Sequence, residues 1–186
     1  NQLLNYISQY LSEVKQVCDL IDPETIKDFT SRLKTLRGRC FIVGIGGSAA
    51  NCSHLVNDLR KIGGIDASSP LDNVAELTAR INDDSWATCL SETLKVSNIN
   101  EDDCLIVLSV GGGSNETSAN LVHAIKEARD SGSQVLSIVS RDGGYALKNS
   151  DVCVLIPVVN DSRITPHAEE FQGVVWHLIV NFLGVS

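Results

Sequence analysis

Apolar residues recur at helical spacing through the first part of the chain. Leu4, Ile7 and Leu11 follow one another at intervals of three and four, which is the spacing of one face of an α-helix. Asp22-Pro23 interrupts the pattern, and a second helical stretch is predicted from about residue 24 to residue 36. The pattern therefore predicts an α-hairpin, and it leaves open whether the first helix packs on its own domain or on a partner subunit.

Short apolar runs alternate with helical patterns over the remainder of the chain. The runs predict strands at residues 40–45, 104–109, 134–139 and 152–156. The patterns between and after them predict helices at residues 48–62, 73–81, 85–96, 116–131 and 167–182. Apolar strands separated by helices are typical of an α/β fold, in which helices cover both faces of a parallel sheet.

Three turns rich in glycine or serine follow the predicted strands, at residues 44–48, 109–118 and 140–144. Ligands of parallel sheets bind beyond the carboxyl ends of the strands, so these turns form the expected binding edge. In the first turn, Gly46 and Gly47 allow the backbone to turn tightly and to approach a ligand closely. The free amides at the start of the next helix would then face that ligand.

The turn at residues 109–118 is a candidate for holding a phosphate. The hydroxyls of Ser109, Ser114 and Ser118 can donate to phosphate oxygens, and the dipole of the following helix favours an anion. A flexible connection with helix-capping serines is the alternative interpretation. Neither turn contains a GxGxxG fingerprint or a Gly-Lys-Ser/Thr phosphate loop, so a nicotinamide cofactor or a nucleoside triphosphate is not expected.

Composition narrows the class of protein further. The chain has 186 residues, which suits one domain, and a net charge of −8 with scattered basic residues, so no nucleic-acid partner is predicted. Its six cysteines form no CxxC pair and mostly lie among apolar residues, as reduced core cysteines do. Because it has no apolar run of about 18 residues and no export signal at its start, we expect a cytoplasmic protein that does not bind membranes.

Two pairs of residues on predicted helices could hold a metal ion. His54 and Asp58 are four apart and therefore share one helix face. Glu169 and His177 are eight apart on the last helix, so both can border one cavity. Together they offer nitrogen and oxygen ligands suited to zinc or another divalent ion. The alternative is a capped helix with one core histidine and surface acids, and His123 is predicted to be a solvated surface residue.

These motifs, in this order, make the sequence resemble the sugar isomerase (SIS) domain family, and within it the phosphoheptose isomerases. The resemblance covers nearly the whole chain, so residues 1–186 are expected to form one SIS domain, with the helical hairpin at 1–37 and the α/β core at 38–186. The motifs that carry it are Gly-Ile-Gly-Gly-Ser-Ala-Ala at residues 44–50, then His54 and Asp58, Ile81-Asn82-Asp83, the serine-rich turn, Ser140-Arg141-Asp142-Gly143-Gly144 and His177 on the last helix.

The resemblance implies a three-layer α/β/α sandwich with a five-stranded parallel sheet of the flavodoxin-like kind, and a homotetramer with its sites at subunit interfaces. It also implies zinc-assisted isomerisation, through an enediol, of sedoheptulose 7-phosphate to D-glycero-D-manno-heptose 7-phosphate or of a related sugar phosphate. The implied metal ligands are His54, Asp58, Glu169 and His177, of which Asp58 and His177 are also the implied catalytic residues. The implied substrate contacts are Gly46, Gly47, Ser48, Asn82, Asp83, Ser109, Ser114, Ser118 and Glu169.

The chain departs from the family pattern at single positions and in one loop. Ile45 stands where the family has Asn, Asp58 where Glu is usual, and Glu169 where Gln is usual. The turn at residues 109–118 is longer than the family's Ser-Thr-Ser-Gly-Asn-Ser loop. A second hypothesis is therefore a non-catalytic SIS module that binds a sugar phosphate or a protein, in the manner of the family's replication-initiator-binding members. A plain structural α/β subunit is a third hypothesis, although it gives the candidate histidines no role.

Overall fold

Five parallel β-strands form the centre of the protein in the computed structural model, which describes residues 1–185. The strands are β1 (Cys40–Val43), β2 (Ala67–Ser68), β3 (Cys104–Leu108), β4 (Gln134–Val139) and β5 (Val152–Leu155). Their order across the sheet is β2-β1-β3-β4-β5. The predicted α/β fold with a five-stranded parallel sheet is therefore confirmed.

The helices precede, connect and follow these strands. They are α1 (Gln2–Leu20), α2 (Pro23–Lys34), α3 (Gly47–Lys61), α4 (Val74–Asp83), α5 (Cys89–Val96), α6 (Ala119–Asp130), α7 (Gly144–Asn149) and α8 (Ile164–Val185), with a 3-10 turn at Asp161–Arg163. The first two form the predicted hairpin. No helix among residues 1–185 is long and apolar enough to cross a membrane.

Helices cover both faces of the sheet, as its continuous apolar strands require. Every residue of β1 and β3 is buried, and the two strands pair in register. On one face the sheet packs against α2, α3 and α8 through side chains such as Phe29, Leu59 and Phe171. On the other face α5 and α6 contribute Leu94 and Leu121, among others. The result is the expected three-layer arrangement.

The α-hairpin begins and turns at the polar residues that cap its helices. The side chain of Asn1 caps α1, and that of Asp22 caps α2. Pro23 occupies the first position of α2, where its missing N–H leaves no bond unmade. Because Glu13 and Val17 are the only buried residues of α1, this helix contributes little to the core.

Some element boundaries differ from the predicted ones. The apolar pattern did not predict β2, of two residues, or α7, of six, because both are too short to show a period. α8 begins at Ile164 rather than at residue 167, since Pro166 falls within its first turn, where amides have no partner in the helix. His123, predicted at the surface, is half-buried in α6.

The strand order places a crevice between β1 and β3. From β1 the chain continues outward to β2, whereas from β3 it continues in the opposite direction to β4 and β5. The helices that follow β1 and β3 therefore lie on opposite faces of the sheet. Loops that diverge in this way leave a binding crevice at the carboxyl ends of the strands.

Candidate active site

A cleft of about 700 Å³ opens at this crevice. Ile45 and Ser48 border it from the turn after β1, which we name the glycine turn (residues 44–48). The turn after β3, named the serine loop (residues 109–118), forms much of its wall, and Arg141 reaches it from the turn after β4. The three turns predicted to form the binding edge therefore meet at one cleft.

Two of its own serines hold the serine loop in shape. Ser109 Oγ accepts a hydrogen bond from the Gly112 amide at 3.0 Å, and Ser114 Oγ accepts one from the Thr117 amide at 3.0 Å. Gly112 and Gly113 have φ values of 78° and 84°, in a region that side chains with a Cβ rarely adopt. The loop is therefore folded by local bonds and glycine geometry into a fixed part of the wall.

Ser118 keeps its hydroxyl available for a ligand. It is the N-cap residue of α6, yet its side chain makes no capping bond, and its backbone is left-handed at φ 59° and ψ 42°. It lines the cleft, close to the positive end of the α6 dipole. At this position the helix-capping alternative is therefore wrong, and the hydroxyl is placed to donate to an anion.

The glycine turn exposes its backbone to the cleft. Gly46 has φ 63° and ψ −125°, and no atom lies within 4 Å of the position that a Cβ would take there. Ser48, the next polar residue, is buried, and α8 holds its side chain in place. Ser48 Oγ accepts a hydrogen bond from Gln172 Nε2 at 3.0 Å. α8 thus fixes the start of α3, whose first amides have no partner within the helix.

Glu169 lies against the glycine turn. Its carboxylate occupies the space that a Cβ of residue 47 would need, so Gly47 makes room for it. Asn51 donates hydrogen bonds to the main-chain oxygen of Glu169 at 3.1 Å and to Gln172 Oε1 at 2.8 Å. Sequence reasoning did not identify Asn51 or Gln172, because their importance comes from the contact between two helices that are distant in the chain.

The structure brings His54, Asp58 and His177 together where α3 meets α8, and we name them the histidine cluster. One donor atom from each lies within 4.8 Å of the others. His54 Nε2 is 3.4 Å and His177 Nε2 is 3.6 Å from the same Asp58 Oδ2, which is longer than an ordinary hydrogen bond. Asp58 is buried, whereas the two histidine side chains are 54% and 50% exposed, so the cluster opens to the outside.

Neighbouring groups fix the orientation of Asp58 and His177. Trp176 Nε1 donates to Asp58 Oδ2 at 3.1 Å. The main-chain oxygen of Gly173 lies 2.7 Å from His177 Nδ1, and because a carbonyl only accepts, Nδ1 carries the proton. In the neutral ring this leaves Nε2, the nitrogen 3.6 Å from Asp58 Oδ2, free to act as a ligand atom. Trp176 was not predicted as a site residue, because its partner lies on another helix.

α3 and α8 connect the histidine cluster with the cleft. His54 lies six residues after Ser48 in α3, about 9 Å along the helix axis. His177 lies five residues after Gln172, the partner of Ser48, about 7.5 Å along α8. Both helices run in the same direction here, so the cluster lies one to two helical turns beyond the Ser48–Gln172 contact that borders the cleft.

Asn82 and Asp83 lie apart from both the cleft and the cluster. They end α4, both are exposed, and Asn82 Nδ2 donates to Asp83 Oδ1 at 2.9 Å. Neither lines the cleft. Their contact with a substrate stays a prediction.

Known proteins resemble this chain in sequence and in structure, although no protein-family model matches it. A phosphoheptose isomerase of Helicobacter pylori strain P12 is 30% identical over 150 residues, which are 77% of this chain and 72% of that protein. The phosphoheptose isomerase of Rhodospirillum rubrum is 29% identical over 147 residues, 76% of this chain and 73% of that protein. The structure of a phosphoheptose isomerase from Francisella tularensis matches with a TM-score of 0.85 at 21% identity, over 98% of each chain.

The fold and the cleft first define the class of protein. A parallel sheet with a serine loop at its crevice, preceded by an α-hairpin, places the chain among α/β proteins with the fold of the solved Francisella tularensis protein. The identity with the Helicobacter pylori enzyme over most of both chains goes further, since it shows that this chain belongs to the phosphoheptose isomerase family. The resemblance predicted from the motifs is confirmed.

Proposed function

We propose that this chain is a metal-assisted isomerase that interconverts a ketose phosphate and an aldose phosphate. The preferred pair is sedoheptulose 7-phosphate and D-glycero-D-manno-heptose 7-phosphate, in keeping with the family. The histidine cluster is the observation that carries the proposal. Two imidazole nitrogens and a carboxylate oxygen converge where α3 meets α8, and a cleft suited to a phosphate opens at the start of α3.

The phosphate of the substrate is assigned to the serine loop. Ser118 has an unused hydroxyl, and Ser109 uses its oxygen only as an acceptor, so its proton is available to a ligand. The α6 dipole favours an anion at the same place. The sugar carbons would then extend past Gly46 and Ser48 toward the histidine cluster.

A divalent cation fits the histidine cluster. Zinc bonds of about 2.0–2.1 Å at tetrahedral angles separate two ligand atoms by about 3.4 Å. Both histidine nitrogens lie at comparable distances, 3.4 and 3.6 Å, from Asp58 Oδ2. The main-chain oxygen that holds His177 Nδ1 is a common partner of metal-binding histidines. When bound, the ion would polarise the substrate carbonyl.

Glu169 is the predicted fourth ligand and lies at the glycine turn in this conformation. Three protein ligands from His54, Asp58 and His177 would match the ligand number of catalytic zinc sites, which keep a position for water or substrate. We therefore propose His54, Asp58 and His177 as the ligands in the resting enzyme, with Glu169 bordering the sugar or joining the ion on a change of side-chain rotamer.

Isomerisation moves a proton between the first two carbons of the sugar, through an enediol. Asp58 and His177 are together assigned to this proton transfer, because their reactive atoms lie side by side, 3.6 Å apart. A carboxylate or imidazole that holds the ion is a poor base, so the residue that takes the proton would first have to leave the ion or share its coordinating atom. The Trp176 N–H holds the carboxylate of Asp58 in position. The side chains of both histidines are about half exposed, so a substrate can reach them.

The proposal includes a homotetramer with its sites at subunit interfaces. α1 leaves Leu3, Leu4 and Leu11 more than half exposed, at 64%, 61% and 54%. α8 leaves Leu178 and Phe182 exposed by 45% and 51%, beyond the histidine cluster. Apolar faces of this kind are stabilised by burial against another subunit.

We also propose that residues 1–186 form one SIS domain and that the protein acts in the cytoplasm. The hairpin packs on the α/β core through contacts of α2 with β5 and α8. All six cysteines are free thiols, a state that favours a reducing compartment.

The test is incubation of the purified protein with zinc and sedoheptulose 7-phosphate. We expect the aldose heptose 7-phosphate to form, and we expect a chelator to abolish the activity and added zinc to restore it. His177→Ala should remove the activity, whereas the control His123→Ala, in α6, should retain it. A protein that binds the sugar phosphate without converting this or related ketose phosphates is instead the regulatory SIS module considered above.

A further inference from the structure

Arg141 has a backbone conformation that is unusual for its residue type. It lies in a turn closed by a hydrogen bond from the Gly143 amide to the Ser140 oxygen at 2.9 Å, and its φ is 52°. Positive φ at the first central position of a turn is normally taken by glycine. Strain of this kind persists where the surroundings impose it, and such residues cluster at functional sites.

Bonds on both sides of the turn impose this conformation. Ser140 is buried, its amide donates to the Val110 oxygen at 2.8 Å, and its hydroxyl donates to the Ile156 oxygen at 2.8 Å. Asp142 Oδ1 accepts a hydrogen bond from the Gly144 amide at 3.0 Å. The backbone of Arg141 is thus held between the serine loop and the residue that follows β5, so its side chain starts from a fixed point.

The Arg141 side chain lies at the cleft without a partner in the described part of the chain. Its Cδ approaches Gly111 of the serine loop, and the residue borders the cleft together with Ser114 and Ser118. No hydrogen bond, ion pair or ring contact joins its guanidinium to any residue within 1–185. It is the one cationic side chain among the residues that line the cleft there, in a protein of net charge −8.

We propose that Arg141 binds the phosphate of the substrate together with the serine loop. The inference rests on the proposed function and adds to it a residue that the predicted substrate contacts omit. A guanidinium can donate two parallel hydrogen bonds to one phosphate, and hydroxyls and amides alone supply no countercharge. Asp142, the adjacent anion, is directed into its own turn by the Gly144 amide and so competes less for the guanidinium.

The test measures binding of inorganic phosphate and of sedoheptulose 7-phosphate by titration calorimetry. Arg141→Gln should weaken the binding of both by about 10- to 100-fold, the range expected for loss of a hydrogen bond to a charged group. The matched control is Arg129→Gln, which removes the same charge from an exposed residue of α6 whose side chain donates to the Asn149 oxygen. That variant should bind both ligands as the unmodified protein does.

Two further variants separate recognition from folding. Arg141→Gly removes the guanidinium and also the backbone strain, so its midpoint of thermal unfolding should be no lower than that of the unmodified protein while phosphate affinity is still lost. Arg141→Lys keeps the charge without the planar pair of donors and should have an intermediate affinity.

Unchanged phosphate affinity in Arg141→Gln, or an equal loss in Arg129→Gln, would overturn the role of Arg141. A protein that isomerises the sugar but keeps its affinity in Arg141→Gln retains the proposed function and loses this inference. One that never isomerises a ketose phosphate, yet loses phosphate binding with Arg141→Gln, retains the inference and loses the proposed reaction. Failure of the unmodified protein to bind either ligand would overturn both.

Discussion

Two groups of histidines and carboxylates contact α8, and they differ in how completely they are satisfied. The first is the histidine cluster. The second, which we name the Glu13 network, consists of Glu13 of α1 with Asn160, Arg163 and His167. Arg163 donates two hydrogen bonds of 2.7 Å to the Glu13 carboxylate, His167 Nε2 lies 2.9 Å from it, and Asn160 donates at 2.8 Å.

The Glu13 network has the character of a structural contact. Glu13 is 4% exposed and each of its oxygens is bonded. Hydrogen bonds from Arg163 and His167 hold the pKa of Glu13 well below its usual value, because they favour the charged form. In the histidine cluster, by contrast, two nitrogens approach one oxygen without bonding to it and remain half exposed.

The comparison shows how the same residue types serve two purposes. A buried ion pair whose donors and acceptors are all hydrogen-bonded orients two helices, and it has few free donor or acceptor atoms for a ligand. Donor atoms that converge without bonding one another are poised for a third partner. α8 therefore has one end fixed to α1 and carries a reactive group further along.

The largest effect is expected for Asp58→Asn. This change keeps the shape and the acceptor for Trp176 but removes the charge, so kcat/KM for the ketose phosphate should fall by roughly 100- to 10,000-fold. Asp66→Asn makes the same change at an exposed ion pair with Arg60 and should leave turnover intact. If steady-state assays found the two variants equally active, the histidine cluster would not be the reaction centre.

Metal binding should be the next most sensitive property. His54→Ala removes a proposed ligand, so zinc affinity, measured by competition with a chelating dye, should fall by more than the roughly 10- to 100-fold seen for supporting residues around metal sites. Glu169→Ala should change it less, since that carboxylate lies at the glycine turn. The reverse order of these two losses would make Glu169 a principal ligand and His54 a peripheral residue.

Glu13→Gln should lower the midpoint of thermal unfolding by several degrees, because it leaves Arg163 without a countercharge. Zinc affinity should persist, as the histidine cluster is untouched. Glu24→Gln serves as the control, since Glu24 forms only an exposed pair with Lys27 at 3.8 Å. Loss of zinc binding at temperatures where Glu13→Gln is folded would show that the two groups are coupled.

The same variant should change the pH dependence of stability. The pKa of Glu13 is lowered in the folded state, so its contribution is fully present above the ordinary value of 4.5 and is lost as pH falls toward the folded value. The free energy of unfolding, measured with urea, should differ most between Glu13→Gln and the unmodified protein near neutral pH. This difference should become smaller below pH 4.5. A difference that stays constant through this range would mean that charge is not its cause.

The smallest effect is expected for Gly47→Ala. The added Cβ must displace the Glu169 carboxylate, which is the end of a flexible side chain, and alanine gains about 0.5–1 kcal/mol over glycine in a helix. The free energy of unfolding, measured with urea, should therefore change by less than about 1 kcal/mol. In a Glu169→Ala background the three atoms nearest to the added Cβ are gone, so the same change should be neutral or stabilising. A large loss there would place the clash elsewhere, in the backbone.

Much of the fold follows from patterns that act over a few residues. The strand β4 was predicted with its observed bounds, because a mostly apolar run of six residues is long enough to indicate a buried strand. The two-residue β2 has no pattern of its own, and it exists because Cys40 and Phe41 of β1 pair with it. The candidate site divides in the same way, because the His54 and Asp58 spacing is local whereas the Trp176 contact with Asp58 requires two packed helices.

The sequence by itself determined the order of the longer helices and strands, the turns at the carboxyl ends of the strands and the placement of His54 and Asp58 on one helix face. These follow from local periodicity and backbone preference, which a short stretch of chain carries alone. The tertiary structure decided that His177 joins this pair, that Glu169 rests on Gly47, and that Arg141 faces the cleft. Those placements depend on how α8 and the sheet pack, and packing is a property of surfaces brought together from distant parts of the chain.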